Sequence, residues 1–551
     1  MTRVTIGNYL LTRLTELGIK DIFGVPGDYN LAFLDQIINF KSIRWVGNCN
    51  ELNAAYAADG YARINGAAAI VTTFGVGELS AINGIAGSYA EYLPVVNIVG
   101  APATTVQKQG AIMHHTFGTG EFGIFIDMFQ KISAAVVILD SPEQAGKQID
   151  EALEICWLKK QPVYVSLPTN MVNVEIEAPK TPLHLAYPVS HPHALAELIS
   201  RAETLIRHAK SPVILIDFCV ARHHMQGMID ELLAQTGIPF AAMNMGKGII
   251  NESQEHFIGL YGGNHSTSGV QERVEQADCL ISFGPVLSDF NSGGFTCNLN
   301  VDTTIAIHSN YVKIHHSVYP DVYFNAVIPA LTRALTGYQY KKDIIAPRRM
   351  STYHPSDEII TQKRFWMAMA DFLKENDIIL AEIGTSLFGL LEIPLPDRTT
   401  FISQSLWGAI GYTVGALLGA AVAAPARRAV LFVGDGSFQL TAQEISTVIR
   451  NGLTPIVFLI NNEGYTIERV IHGPDMIYND IQSWKYAELP KIFSNHVFTA
   501  KVSTENELAN AIIQLKSHRD KMSFIEVMMN RKDCPENLHS LVKALNNNKK
   551  W

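Results

Sequence analysis

The 551-residue chain is poor in charge, and its charge balance is not basic. Charged residues make up 17% of it and hydrophobic residues 47%. A monomer whose whole surface is exposed to solvent usually carries more charge than this, so the composition favours a homo-oligomer with extensive buried interfaces. The formal net charge of −9 provides no positive field, which argues against nucleic acid as a partner.

Cysteine pairs and long apolar runs are also missing. The six cysteines are scattered, without a Cys-x-x-Cys pair or a metal-binding spacing to histidine, and we expect reduced thiols in a cytoplasmic protein. The N-terminus mixes charged and apolar residues at helical spacing and is neither a signal peptide nor a membrane span. Small residues interrupt the apolar run Gly411–Ala424, which predicts a buried helix and no membrane contact.

Two nucleotide-binding signatures are absent as well. No Gly-x-Gly-x-x-Gly follows a first strand pattern, and no Gly-x-x-x-x-Gly-Lys-Ser/Thr occurs. Both motifs bind phosphate groups through backbone amides at the start of a helix. Their absence argues against a plain nicotinamide or nucleoside-triphosphate enzyme.

Three blocks of alternating strand and helix patterns are present. This alternation predicts an α/β fold of three doubly wound parallel-sheet domains with helices on both faces. The weakly patterned stretches Pro179–His193 and Thr336–Ser356 place the domains at 1–180, 192–336 and 357–551. The strand patterns are Ile22–Val25, Ala68–Val71, Val95–Val99, Val213–Ile216, Cys279–Phe283, Thr304–Ile307, Ile378–Ala381, Ala429–Val433 and Ile456–Ile460, and the main helix patterns of the first block are Glu51–Ala62 and Leu79–Glu91.

Small polar residues follow two strands of the last block. Gly434-Asp435-Gly436 comes after one strand and Asn461-Asn462 after the other. Ligands of a parallel sheet bind beyond the carboxyl ends of its strands. A carboxylate, an amide oxygen and a backbone carbonyl suit Mg²⁺, and glycines let the backbone approach a diphosphate. A plain turn is the better explanation of Gly-Asp-Gly when this motif is taken alone.

Read together, the two strand ends resemble the diphosphate and Mg²⁺ motif of thiamine-diphosphate enzymes. The resemblance implies that Asp435, Asn462 and the carbonyl of Gly464 hold the metal, which holds the diphosphate of the cofactor. The other residues that it assigns to the cofactor are Thr385, Gly408, Ile410, Gly436, Ser437, Tyr465, Thr466 and Ile467. Among these, the carbonyl of Gly408 would bind the pyrimidine amino group, and Ile410 would support the bent cofactor.

Glu51 begins an apolar helix pattern in the first block. A glutamate at this position is also explained by the helix dipole. A thiamine enzyme, however, needs a carboxylate that hydrogen-bonds the aminopyrimidine and so promotes loss of the thiazolium C2 proton. The segment `NCNELNAAYAADGYAR` resembles the corresponding motif of the family. Because Glu51 and Asp435 lie in different domains, the resemblance implies a site between subunits, in at least a dimer and typically a tetramer.

Four further residues have the chemistry of proton transfer. Asp28 lies in `GVPGDYN`, His114 and His115 in `GAIMHHTFGTGEF`, and Glu468 ends `GYTIE`. Turn chemistry and polar surface are the simpler explanations of the first three. Together with Glu51 and Asp435, these residues resemble the set found in the 2-oxo acid decarboxylase branch, which includes the pyruvate, indolepyruvate, phenylpyruvate and branched-chain enzymes. The resemblance covers essentially the whole chain.

The resemblance implies conversion of a 2-oxo acid to an aldehyde and CO2. Glu51 would activate the cofactor, and Glu468, kept protonated by burial and nearby negative charge, would assist departure of the carboxylate or protonate what remains. Asp28, His114 and His115 would relay protons. A different thiamine lyase or carboligase, of the acetohydroxyacid synthase or benzoylformate decarboxylase type, and a non-catalytic α/β binding protein are the alternatives.

The substrate pocket is assigned only by resemblance. Leu387, Phe388, Ile467 and Ile471 would line it, although the same residue types fill an ordinary core. Leucine at 387 leaves room for medium or large 2-oxo acids, aliphatic or aromatic, with pyruvate as a poorer substrate. Cys219, in `DFCVAR`, resembles a cysteine of substrate-activated relatives, and a buried structural thiol is the favoured interpretation.

Overall fold

The computed structural model describes residues 3–341 and 350–547. Residues 342–349, within the weakly patterned stretch 336–356, and the two chain ends are not among them. The outer boundaries of the predicted domains, at residues 1 and 551, therefore lie outside the described residues. All nine strand patterns coincide with strands, and the patterns Glu51–Ala62 and Leu79–Glu91 with helices. None of the described helices has the length and apolar character needed to cross a membrane.

The first domain is built on a six-stranded parallel sheet. Its strands are β1 (Arg3–Thr5), β2 (Asp21–Gly24), β3 (Arg44–Gly47), β4 (Ala68–Thr73), β5 (Val95–Ala101), β6 (Val136–Ile138), β7 (Val163–Pro168) and β8 (Glu175–Glu177). Its helices are α1 (Ile6–Glu16), α2 (Leu31–Asn39), α3 (Glu51–Asn65), α4 (Val76–Ala90), α5 (Thr104–Lys108), α6 (Ile124–Phe129) and α7 (Pro142–Lys159). The strand order is β3-β2-β4-β5-β7-β6, and β1 and β8 form a separate antiparallel pair.

The middle domain contains a seven-stranded sheet. Its strands are β9 (Pro212–Ile216), β10 (Phe240–Met243), β11 (Phe257–Tyr261), β12 (Cys279–Phe283), β13 (Thr304–Ile307), β14 (Tyr311–Ile314) and β15 (Ser317–Pro320), and its helices are α8 (Pro192–His208), α9 (Cys219–Arg222), α10 (Gln226–Thr236), α11 (Val270–Glu275) and α12 (Phe324–Ala334). The order is β11-β10-β9-β12-β13-β14-β15. The predicted parallel pairing runs from β11 to β13, and the edge strands β14 and β15 are antiparallel. Two or three residues join these strands, too few for a parallel crossover.

The last domain repeats the architecture of the first. Its strands are β16 (Ile378–Ala381), β17 (Thr400–Ile402), β18 (Ala429–Gly434), β19 (Ile456–Asn461), β20 (Val497–Val502) and β21 (Met522–Met528), in the parallel order β17-β16-β18-β19-β21-β20. Its helices are α13 (Gln362–Phe372), α14 (Thr385–Leu391), α15 (Tyr412–Ala423), α16 (Asp435–Thr441), α17 (Glu444–Arg450), α18 (Thr466–Ile471), α19 (Leu489–Phe493), α20 (Glu505–Gln514) and α21 (Glu536–Asn547).

Helices α3 and α15 join the first and last domains. A Cβ at Gly419 would overlap the carbonyl of Ala57, and one at Gly60 would overlap that of Ala416. Glycine at both positions therefore lets the two backbones touch, and the predicted buried helix in 411–424 is confirmed as α15, buried through nearly all its length. One hydrophobic core continues across this contact.

A group of buried charges lies beside the α3–α15 contact. Arg63 forms ion pairs with Asp59 at 2.8 Å and with Glu91 at 2.6 Å, and both carboxylates are fully buried. The hydroxyl of Tyr412 donates to Asp59 at 2.5 Å. Nε of Arg222, from the middle domain, donates to the carbonyl of Glu91 at 3.0 Å. These contacts connect all three domains. Each buried charge in the group also has a partner, as the cost of burying a charge requires.

Candidate active site

The polar strand ends of the last domain lie side by side. Strands β18 and β19 pair in parallel, with Gly434 opposite Ile460. Asp435 begins α16 directly after β18, and Asn462 follows β19, so both side chains stand at the carboxyl edge of the sheet. Both residues are buried. The expectation that these strand ends converge is met.

Three oxygens converge there. The amide oxygen of Asn462 faces the Gly464 carbonyl oxygen at 3.0 Å and Oδ1 of Asp435 at 3.1 Å. Three acceptors repel one another unless a cation lies among them, and all-oxygen ligands suit Mg²⁺. With the amide turned over, its NH2 group would donate to the same two oxygens. The donor set therefore fits a hard divalent cation and has a hydrogen-bonded arrangement without one.

Backbone geometry supports this cradle. The amides of Gly436 and Gly464 donate to the Asp435 carboxylate at 2.9 and 3.2 Å. Gly464 has a φ of +126°, and a Cβ there would overlap the carbonyl of Asn479, so glycine is required. Burial raises the pKa of Asp435 to about 7, against the lowering effect of these amides. A bound cation would favour the ionised form of this carboxyl group.

The remaining residues assigned to the cofactor border the same edge. A Cβ at Gly436 would lie 2.6 Å from the Tyr465 ring, which explains the glycine. Ser437 is buried in the first turn of α16, and the Thr466 hydroxyl donates to the Arg531 carbonyl at 3.0 Å. Thr385 begins α14 just after β16, and Ile467 is half-buried in α18.

The loop that carries Gly408 and Ile410 is anchored on both sides. Gly408 has a φ of +69°, and a Cβ there would lie 3.4 Å from Ile383, which follows β16. Oε1 of Glu91, in the first domain, accepts the backbone amide of Leu406 at 2.9 Å. The loop is thus held at the edge of the last sheet by a buried carboxylate of another domain, a contact that the sequence analysis missed.

Asp28, His114 and His115 lie together at the edge of the first sheet. Oδ2 of Asp28 is 2.5 Å from Nε2 of His114, and Oδ1 is 3.7 Å from Nε2 of His115. The side chains of Asp28 and His114 are about half exposed. The structure brings the three side chains together, and a carboxylate shared by two imidazoles can hold or transfer a proton.

The sequence analysis missed Tyr29, which is next to Asp28 in the chain. Its ring stacks on that of His114, and its hydroxyl lies 3.4 Å from Nδ1 of that ring. Tyr29 is buried, and burial together with the charge of Asp28 raises its pKa. A tyrosine in a turn gives no sequence signal for this contact, because the histidine that it touches lies 85 residues away.

Glu51 is half-buried at the start of α3. Asn50 caps this helix, its side chain accepting the amide of Asn53 at 2.8 Å. A Cβ at Gly77 would lie 3.2 Å from Oε1 of Glu51, so Gly77 makes room for the carboxylate. Within residues 3–341 and 350–547, no hydrogen bond or ion pair joins Glu51 to the Asp435 group.

Glu468 differs from the expectation. It lies in the first turn of α18, but its side chain is exposed in the single chain. The burial that was expected to keep Glu468 protonated is therefore not supplied by this chain alone. Helix α18 lies at the surface, and its Ile467 and Ile471 are only half-buried. Leu387 and Phe388, by contrast, are almost fully buried in a core shared with the middle domain.

Another buried carboxyl group stands at the same sheet edge. Glu382 follows β16, and its Oε2 accepts the Thr413 hydroxyl at 2.6 Å. Burial raises its pKa to about 7. Its only signal in the sequence is an acidic residue in an apolar run. Cys219 is half-buried, and burial together with Asp217 raises the pKa of its thiol to about 12, so its structural role stays a prediction.

Comparison with known proteins agrees with this geometry. Models of the N-terminal thiamine pyrophosphate binding domain, the central domain and the C-terminal thiamine pyrophosphate binding domain of thiamine pyrophosphate enzymes match residues 4–119, 199–335 and 383–527. The chain is 43% identical over 551 residues to a pyruvate decarboxylase of Aspergillus fumigatus, covering 98% of this chain and 97% of the relative. It is 42% identical over 550 residues to pyruvate decarboxylase isozyme 2 of Saccharomyces cerevisiae, covering 98% of each.

Proposed function

Since the chain belongs to the thiamine-diphosphate-dependent 2-oxo acid decarboxylase family, we propose that it converts a 2-oxo acid to an aldehyde and CO2, using thiamine diphosphate and Mg²⁺. The observation that carries the proposal is the Asp28 carboxylate set between His114 and His115. This group and the Asp435 cradle occur in one chain, and the combination favours a decarboxylase over other thiamine lyases and over a binding protein.

The Asp435 cradle would hold the metal. Asp435, Asn462 and the Gly464 carbonyl supply its oxygen ligands, and Gly436 and Ser437 would face the diphosphate. When bound, the cofactor supplies a nucleophilic carbon and accepts the electron pair released with CO2. Gly408 and Ile410, on the loop held by Glu91, would orient the pyrimidine ring.

Proton transfer belongs to residues of this chain. The carboxylate of Glu51, half-buried beside Gly77, would accept a hydrogen bond from a ring nitrogen of the pyrimidine. Asp28 and His114 share a proton between Oδ2 and Nε2, and His115 is near enough to receive it. Glu468 would assist departure of the carboxylate or protonate what remains after CO2 leaves, once a partner chain reduces its exposure.

We assign the complete site to two chains, in a dimer or a dimer of dimers. Large apolar side chains are exposed near the proton-transfer residues of both domains, among them Val76, Ile112, Phe117 and Ile477, whose exposure ranges from 55% to 84%. Isolated exposure of this kind is normal, but several such residues close in sequence to the site support an interface. The same interface would bury Glu468.

The domain boundaries and the location are parts of the proposal. The three sheets lie within 1–180, 192–336 and 357–551, which supports this division. A cytoplasmic location is supported by six free thiols. Among substrates we favour medium or large 2-oxo acids, with pyruvate accepted. The relatives named above are pyruvate decarboxylases, so pyruvate belongs in every assay.

Substitution of Glu51 tests the function. The purified protein is incubated with thiamine diphosphate, Mg²⁺ and a panel of 2-oxo acids, and aldehyde is measured by NADH-dependent reduction. Glu51→Gln should nearly abolish turnover with the fold intact. Glu143→Gln, another first-turn glutamate, on the exposed side of α7, is the matched control and should retain it. No aldehyde from any acid, or wild-type turnover of Glu51→Gln, would contradict the proposal.

A separate binding measurement tests the cradle. Asp435→Asn removes the one carboxylate among the three oxygens. Titration calorimetry should show that Mg²⁺-dependent binding of thiamine diphosphate weakens by about 100-fold or more, since loss of even a supporting residue around a metal costs about 10–100-fold. Unchanged cofactor affinity would place the metal elsewhere.

A further inference from the structure

The group formed by Asp28, His114 and His115 has the composition of a transition-metal site. Its ligand atoms, one carboxylate oxygen and two ring nitrogens, all lie within 4.8 Å of one another. Ligands about 2.1 Å from a tetrahedral metal are about 3.4 Å apart. Oδ1 of Asp28 lies 3.7 Å from Nε2 of His115, which is close to this spacing. The other carboxylate oxygen, Oδ2, lies 2.5 Å from Nε2 of His114, and this contact needs to open by about 1 Å.

The two histidines are held in place by their surroundings. His115 has a φ of +61°, an unfavourable conformation for a residue with a side chain. A Cβ at Gly75 would overlap the carbonyl of His115, so the glycine permits this close approach. Tyr29 stacks on His114 and places its hydroxyl 3.4 Å from Nδ1. Metal-binding histidines commonly have one ring nitrogen hydrogen-bonded in this way, with the other free for the ion.

Access and ligand type favour one class of ion. The side chains of Asp28 and His114 are 48% and 55% exposed in the single chain, and a site that a 2-oxo acid enters also admits a hydrated ion that keeps water ligands. Imidazole nitrogens suit Zn²⁺ and Co²⁺, whereas Mg²⁺ prefers an all-oxygen set such as the Asp435 cradle. The two sites therefore discriminate between ions by ligand chemistry.

We infer that Asp28, His114 and His115 bind a borderline divalent transition metal such as Zn²⁺, and that this ion inhibits the enzyme. The ion displaces to solvent the proton that the hydrogen bond between Asp28 and His114 requires, and it occupies ring nitrogens needed for proton transfer. Inhibition rests on the proposed decarboxylation, whereas binding does not. An excess of Mg²⁺ does not relieve the inhibition, because Mg²⁺ does not compete for imidazole.

Metal binding is measured on the full chain without thiamine diphosphate or substrate, in excess Mg²⁺. Co²⁺ is followed by its visible absorption and Zn²⁺ by equilibrium dialysis. One ion should bind per chain, and His114→Gln and His115→Gln should each weaken binding by about tenfold or more. Circular dichroism verifies that the variants are folded.

The chain offers a matched control. His316 is also preceded by a histidine, and its Nε2 lies 3.1 Å from Oδ1 of the exposed Asp302. Among the residues that the structure describes, however, only Asp28, His114 and His115 bring three such ligands together. His316→Gln should therefore leave Co²⁺ binding unchanged. Equal affinity of the wild type and both site variants, or no binding by the wild type, overturns the metal site.

Inhibition is measured separately on wild-type protein and on His316→Gln. Zn²⁺ should reduce aldehyde formation in both at saturating Mg²⁺ and thiamine diphosphate, and a chelator followed by fresh Mg²⁺ should restore it. Binding without inhibition overturns the inhibitory role. Metal binding by a protein that decarboxylates no 2-oxo acid would contradict the proposed function and leave the metal site standing.

Discussion

The ring of Tyr29 lies almost parallel to that of His114, with the ring centroids 5.0 Å apart and the planes 14° from parallel. The Tyr29 hydroxyl approaches Nδ1 at 3.4 Å, and Asp28 approaches Nε2 at 2.5 Å. The two contacts use opposite nitrogens of the ring. When the imidazole is neutral, Tyr29 can donate to Nδ1 while Nε2 carries the proton toward Asp28. Tyr29 thus positions the ring, and Asp28, whose carboxylate only accepts, favours the tautomer with the proton on Nε2.

Tyr29→Phe should lower kcat without unfolding the protein. The ring stacking remains, and one hydrogen bond of about 1 kcal/mol is lost, which corresponds to about a fivefold decrease. Tyr29→Ala should cost more, because it also removes the stacking. Steady-state kinetics across pH should show an altered profile for Tyr29→Phe, since the hydrogen bond to Nδ1 of the neutral ring is lost. Tyr338→Phe, just beyond the middle domain, is the control, and an identical profile for both variants would contradict the positioning role.

Burial of Glu78 predicts a pH dependence of stability. Its carboxylate accepts the Gly75 amide at 2.7 Å and the Tyr164 hydroxyl at 2.9 Å. Burial raises its pKa from 4.5 to about 7. Between these values the folded chain holds a proton that the unfolded chain has released. The free energy of unfolding therefore falls as pH rises from 4.5 to about 7, by about 3 kcal/mol, and stays at the lower value above it.

Glu78→Gln tests this sign. The amide can accept from Gly75 and donate to the Tyr164 oxygen, and it does not ionise. Apparent melting temperatures at pH 5 and pH 8 should therefore differ less in Glu78→Gln than in the wild type, with the variant relatively more stable at pH 8. Glu151→Gln, on an exposed face of α7, should behave as the wild type does. The same pH dependence in all three proteins would show that Glu78 does not retain its proton.

Arg63→Met should destabilise the fold strongly. Arg63 is paired with Asp59 and Glu91, and its loss leaves two carboxylates buried without their cation. Breaking a buried ion pair from one side costs about 3–5 kcal/mol. The free energy of unfolding in urea measures this loss.

Arg207→Met is the matched control for this change. Arg207 pairs with Glu203 at the same spacing in sequence and at the same 2.8 Å, but both side chains are more than one third exposed. The expected cost is about 1 kcal/mol or less, because solvent screens the pair. Equal costs for the two variants would contradict a special role of the buried charges.

Much of this site is readable from the sequence because its chemistry is local. Asp435 and Asn462 each end a strand, and adjacent parallel strands bring such ends together. The α/β alternation likewise predicts every strand that it was used to place. The contacts Glu91–Leu406 and Tyr29–His114 were missed, because long-range packing determines them and no local pattern reports it. Exposure of Glu468 in the single chain was missed because the local pattern of α18 does not report which of its faces the rest of the chain covers.

The buried position of Leu387 leaves two explanations for it, and one substitution separates them. If Leu387 lines the substrate pocket, Leu387→Ala should raise kcat/KM for an aromatic 2-oxo acid relative to pyruvate, by about tenfold, since one methylene is worth about 1–3 kcal/mol in discrimination. If it is only core, the specificity ratio stays constant and stability falls by about 2–5 kcal/mol. Measurement of both quantities decides, with Leu390→Ala as the control from the same helix, because Leu390 is fully buried and has no assigned pocket role. An unchanged ratio in Leu387→Ala would contradict the pocket assignment.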